Sequence, residues 1–190
     1  MNNGKSYQFT DQFKYFDLLF LSLLAAVSEW MGSGLLKVWN SSFYFSFATA
    51  ICLIAMIRWG IAGVLVGMAG GIPAIWFSDM GIFSGILFYV IANISIGIPI
   101  LLYGARDRNK ICEHSFWLML YVLSAHVCLA IGKGAVIFLL TGEHTGVLDY
   151  FGATFLITVL DVIVCLVLNT RKDLLCDMRN YFNKGEGENE

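Results

Sequence analysis

The chain has 190 residues, of which 58% are hydrophobic and 14% charged, and its formal net charge is −2. A soluble domain normally carries about 25% charged residues, so the composition speaks against a soluble fold. With no basic domain outside its apolar stretches, the chain is also a poor candidate for nucleic-acid binding.

Six apolar stretches follow in chain order: Leu18–Leu36, Phe43–Ile57, Gly60–Phe77, Gly81–Tyr103, Phe116–Leu140 and Val147–Leu168. A helix needs about 20 mostly apolar residues to cross a bilayer. The second stretch is short and the third borderline, and only Arg58-Trp59 separates them, so they read as a tight helical hairpin turning at the membrane surface. The expected fold is therefore an all-α integral membrane bundle of six helices. Residues 1–17 form a leader, 18–168 the membrane domain, and 169–190 a tail. Leu18–Val27 followed by Gly32-Ser33-Gly34 mimics a signal peptide, but Asp11, Asp17 and Glu29 depart from that pattern. The first stretch is read as a permanent span.

Basic residues set the orientation. Lys5 and Lys14 precede the first stretch and Arg58 sits between the second and third. Arg106, Arg108 and Lys110 lie between the fourth and fifth, and Arg171, Lys172, Arg179 and Lys184 follow the sixth. The opposite side has only Lys37. Both termini are therefore expected in the cytoplasm. In the tail, Leu174, Leu175, Met178, Tyr181 and Phe182 suggest an amphipathic helix lying in the interface, and the final GEGENE lacks apolar anchors. The five cysteines (Cys52, Cys112, Cys128, Cys165 and Cys176) form no CxxC pair. Neither a disulfide framework nor a zinc site is expected, and no cofactor is implied.

Small residues recur in register. Gly63, Gly67 and Gly71 make one stripe on the third stretch, and Ser22 and Ala26, then Ser28 and Gly32, do so on the first. Such stripes let helices approach closely, either within one bundle or on another membrane subunit. Gly70-Gly71-Ile72-Pro73 weakens the third helix and Pro99 is placed to kink the fourth. A loosened backbone at that depth has to be buried in protein or to face a wet cavity.

Ionisable groups at depth are costly, about 2.5–3.5 kcal/mol for a central Lys, Arg or Asp on insertion scales. At 1.5 Å per residue from the cytoplasmic ends, Glu29 stands ~18 Å deep, Lys133 ~25 Å, His126 ~15 Å and Asp161 ~13 Å. His126 and Asp161 are thus level and form a candidate interhelical pair. Glu29 and Lys133 share the outer half and can pair if their helices are neighbours. Lys133 is flanked by Gly132 and Gly134, which leave room for something bulky beside the ammonium; the bland alternative is a side chain snorkelling to the interface. Asn93 and Tyr89 lie at comparable depth. An outward-facing pocket with Lys133, Asn93, Tyr89 and His126, capped by Trp39 and Asn40 of the first outer loop, suits a small organic molecule with an anionic group. Trp39 and Trp76 are otherwise interface-belt aromatics.

The segment Ala55-Met56-Ile57-Arg58-Trp59-Gly60, leading into a Gly-rich third stretch within a six-span layout, resembles the substrate-binding S components of energy-coupling factor vitamin transporters. The resemblance covers the membrane domain in layout. It implies a multi-pass protein of the bacterial plasma membrane that captures a micronutrient and hands it on through a transmembrane coupling subunit carrying two ATPases. Ser22, Ala25 and Ala26 would lie on the docking face and Lys133, Asn93 and Tyr89 in the pocket. The family's alanine-rich first-span motif is present only in part, as Leu24-Ala25-Ala26-Val27-Ser28 with Glu29 directly after it. The chain has no GxxxxGK[ST] motif and is not the ATPase. Rival readings are a structural six-span subunit, then a self-standing transporter relaying protons through Glu29, His126 and Asp161. An enzyme ranks last, because no GxSxG, HExxH or Cys–His constellation supports one.

Overall fold

The computed structural model describes residues 3–35, 45–103, 108–142, 144, 146–171 and 174–178. These residues are helical apart from short turns and connections, with no strand among them. Helix α1 (Asn3–Trp30) runs into a π-helical turn, Met31–Leu35. Helix α2 (Ala48–Trp59) joins α3 (Val64–Phe77) through a 3-10 turn, Gly60–Gly63. The fourth apolar stretch is broken into α4 (Ile82–Gly85), a π segment Ile86–Ile91, a 3-10 segment Ala92–Gly97 and α5 (Ile98–Tyr103). A short α6 (Asn109–Glu113) precedes the two long helices α7 (Ser115–Thr141) and α8 (Gly146–Asn169).

Five helical stretches are long and apolar enough to cross a membrane: Thr10–Gly34, Ala48–Phe77, Ile82–Tyr103, Ser115–Thr141 and Gly146–Asn169. Their outer faces are apolar as well. On α1 alone Tyr15, Phe16, Leu19, Phe20, Leu23 and Leu24 are exposed. So broad a greasy surface has no place in water and is what lipid covers, so the chain is a helical membrane protein. Helix α1 starts well inside the polar leader, at Asn3, and no proline lies between it and Leu18.

The second of these stretches doubles back on itself. Gly60 takes φ 69°, the left-handed region that glycine enters without strain, and its N–H closes the end of α2 on the Met56 carbonyl. The two arms then run antiparallel. Gly63 lies against the backbone of Met56, Gly67 against the Cys52 sulfur, and Gly70 against the side chains of Ala48 and Ala25. The 12 and 14 residues of α2 and α3 make arms of about 18 and 21 Å at 1.5 Å rise per residue.

Two apolar clusters hold the bundle. The larger joins α2 and α3 to α7, α8 and the fourth stretch through Leu53, Met56, Ile57, Ile96, Tyr121 and Cys165. The smaller seats α1 on the hairpin through Leu18, Ala25, Ile51, Ala55, Trp59 and Val66. Helix α7 ends where Gly142 (φ 77°) donates its N–H to the Phe138 carbonyl at 2.8 Å, a left-handed C-terminal cap.

One end of the bundle gathers the polar fastenings. Asp17 of α1 accepts from Arg58 Nε at 2.9 Å and from the Trp59 indole. Arg58 Nη1 also donates to the Leu174 carbonyl at 3.1 Å, Arg108 pairs with Asp177, and Asn169 donates to the Cys112 carbonyl. The tail departs here from an interfacial amphipathic helix: residues 174–177 are not helical, and Leu175 and Met178 are buried in the two clusters. Residues 172, 173 and 179–190, with Tyr181 and Phe182, lie outside the described residues. Burial pushes the Cys112 thiol, outside the spans, up to about 12, so it stays protonated and unreactive at neutral pH.

Candidate functional site

The polar groups at depth converge on one interior cavity. Glu29 comes from α1, Ser46 from the residues just before α2 and Thr49 from its start, Gly67, Gly70 and Gly71 from α3, Tyr89 and Asn93 from the broken fourth stretch, His126 and Lys133 from α7, and Tyr150 and Thr154 from α8. The cavity volume is about 40 Å³, enough for a few waters at roughly 10–15 Å³ each.

Lys133 does not snorkel. It is 7% exposed, and its ammonium sits 4.5 Å from the centre of the Phe88 ring and 5.1 Å from those of Tyr89 and Tyr150. Ring faces carry the negative part of an aromatic quadrupole and stabilise a cation within about 6 Å. The three rings take over some of the work of lost water. The π segment accounts for two of them: its wider turn lets the adjacent Phe88 and Tyr89 reach the same ammonium. Wide turns of this kind often occur at functional sites, and irregular backbone at membrane depth belongs where it borders a cavity.

Gly132 and Gly134 serve a different purpose from the one their spacing suggests. A side chain at Gly132 would strike Ser95 and Ala92, and one at Gly134 would strike Val147. The bulky neighbours are the protein's own helices. They press α7 against the fourth stretch and α8, and so fix Lys133 between them.

Glu29 is 5% exposed and accepts from the Ser33 hydroxyl at 2.9 Å. It shares the cavity wall with Lys133 and lies within electrostatic reach of it. His126 Nε2 and Asp161 Oδ2 are 3.0 Å apart and fully enclosed. The other Asp161 oxygen and the Tyr121 hydroxyl have no hydrogen-bond partner among the described residues. Asn93 donates to the Gly67 carbonyl at 2.7 Å, and Thr154 to the Tyr150 carbonyl at 2.9 Å. Near the end of α1, Ser28 accepts from the Phe47 N–H at 2.8 Å, and Gly32 lets the Phe45 backbone lie directly on α1. The end of α1 and residues 45–47 thus cap the cavity. Trp39 and Asn40 lie outside the described residues, and Trp76 is 78% exposed, away from the cavity.

The small-residue stripes are occupied within the chain. Gly63 and Gly67 face α2, Gly71 faces the Tyr89 backbone, and Ala25 is fully buried against Gly70. Of the remaining positions, Ser22 and Ala26 are half-buried. Phe88, Tyr150 and Thr154 belong to the site and had no distinguishing mark in the sequence beyond the spacing of four between the last two. No group of three or more His, Cys, Asp or Glu that could hold a metal occurs among the described residues. All five cysteines are free.

No family model, no curated protein and no solved structure matches the chain.

Proposed function

We propose that this protein captures a small molecule in the interior cavity and serves as the substrate-binding subunit of an ATP-driven micronutrient uptake transporter, with a separate coupling subunit supplying the ATPases. In this reading the hairpin contributes two of six crossings, both termini are cytoplasmic, and the cluster around Asp17, Arg58 and Arg108 marks the inner face. One observation carries the reading: Lys133 is buried in a ring cage on the wall of a polar cavity. An intramembrane cation is a functional-site hypothesis by default, and this one is held by rings and helix packing rather than directed to the interface.

The cavity of about 40 Å³ is far below the roughly 300–1,000 Å³ of pockets for drug-sized ligands. A vitamin-sized guest therefore requires the cavity to widen. The irregular segment Ile86–Gly97, which contributes Tyr89, Asn93 and Ile96 to its wall, departs from α-helical hydrogen bonding. Release would follow from a second conformation that binds the guest less well.

The test is ligand-induced stabilisation of the purified protein over a vitamin panel. A binder should stabilise the wild type, and Lys133→Ala should weaken its affinity by about tenfold or more, the equivalent of ~1.4 kcal/mol, while the variant remains extractable and folded. Unchanged affinity in Lys133→Ala would refute the assignment. The His126–Asp161 pair and Glu29 favour a second reading, a proton-coupled transporter, in which transport persists without any ATPase partner.

A further inference from the structure

Resting on the reading of this cavity as a capture site, we propose that its guest is a small zwitterion, with an anionic end for Lys133 and a cationic end for Glu29, rather than a simple anion. Both charged residues are buried and both line the same cavity, on different helices. A plain anion moving towards Lys133 would enter the field of the Glu29 carboxylate in a medium that screens it poorly. It would also meet the faces of Phe88, Tyr89 and Tyr150, which attract cations and repel anions.

The neutral polar groups lean the same way. Asn93 and Thr154 already donate to the backbone carbonyls of Gly67 and Tyr150, and each keeps an acceptor oxygen for a guest. Acceptors, a carboxylate and ring faces suit an ammonium end, and the Lys133 ammonium with the second amide hydrogen of Asn93 suits a carboxylate end. A zwitterion adds no net charge to a site whose own carboxylate and ammonium already balance. It also leaves neither of them facing an unpaired like charge, the arrangement that is expensive away from water. The cavity of about 40 Å³ has to widen less for a short amino acid than for a ring system.

The experiment measures equilibrium binding to the purified full-length protein in lipid nanodiscs. The probes are glycine, β-alanine and γ-aminobutyrate, beside acetate, propionate, butyrate and the matching primary amines. At least one zwitterion should bind about tenfold or more tighter than both of its half-molecules, because each half-molecule brings the cavity only one of the two charges that its wall complements. Glu29→Gln should erase most of the preference over the acid, and Lys133→Met most of the preference over the amine. The wild-type comparison needs no variant and holds even if one fails to fold. An acid binding as tightly as its zwitterion, or a preference unaltered by Glu29→Gln, overturns the proposal. If all these probes fail while an anionic vitamin binds in a Lys133-dependent way, the zwitterion is wrong and the capture site stands. If nothing binds, both fall.

Discussion

Asp161 and His126 show what a buried polar residue demands of its neighbours. The pair is enclosed, with one short contact of 3.0 Å. Removing the carboxylate leaves an imidazole in the bundle core without its partner, a loss of about 1–3 kcal/mol. Asp161→Ala should therefore lower the thermal midpoint in detergent clearly more than Asp161→Asn, whose amide can still bond the ring. The double change to Leu at both positions should recover part of the loss, since removing both partners of a buried bond is milder than removing one. Equal midpoints for the Ala and Asn variants would show that the contact contributes nothing. The pair was legible in the sequence because helical rise puts the two residues at one depth on adjacent antiparallel helices. Of the cage around Lys133 only Tyr89 was: Phe88 and Tyr150 look like any other aromatics of an apolar span. Their convergence depends on a π turn that no residue pattern announces.

At the scale of elements, the hairpin was the most readable feature. Arg58-Trp59 interrupts the apolar run, and Gly60 provides the left-handed turn. The glycine stripe was visible too, but its spacing leaves open which helix it receives. The structure assigns Gly63 and Gly67 to α2 and Gly71 to the Tyr89 backbone. Gly67→Leu should accordingly damage the fold itself. A leucine there must displace Cys52, and overpacking of this kind costs about 1–3 kcal/mol or more. The expected result is a lower yield of monodisperse protein and a lower midpoint, whether or not any partner is present. A well-folded Gly67→Leu protein that loses only its ability to copurify with a coupling subunit would return that position to a docking role. The fourth stretch was legible as a span but not as a broken one. Pro99 hinted at a kink, yet the disruption lies earlier, in Ile86–Gly97. There Gly97 is pressed against Val64 and Ile61, and Ser95 turns its hydroxyl back onto the Ala92 carbonyl.

At the scale of the whole molecule, charge placement made the most visible claim. Arg58 and Arg108, from two alternate connections, pair with Asp17 and Asp177 at one end of the bundle. The folding-back of residues 174–178 onto that end could not be read, because Leu175 and Met178 fit a greasy helix face as well as a buried turn. The short arms of α2 and α3 have a further consequence. A hydrocarbon layer is about 30 Å thick, whereas these arms reach about 18 and 21 Å, so if each arm crosses the bilayer, as the proposed topology has it, the acyl chains beside the hairpin must compress or tilt. Such mismatch costs fractions of a kcal/mol per Å. Reconstituted into phosphatidylcholines of increasing chain length, the protein should melt at its highest temperature in the shorter-chain lipids. A midpoint indifferent to chain length would mean that the neighbouring long helices shield the hairpin from its surroundings. If the effect holds, the membrane itself is a silent component of this fold, thinned where the hairpin stands and so bringing outside water nearer to the buried charges.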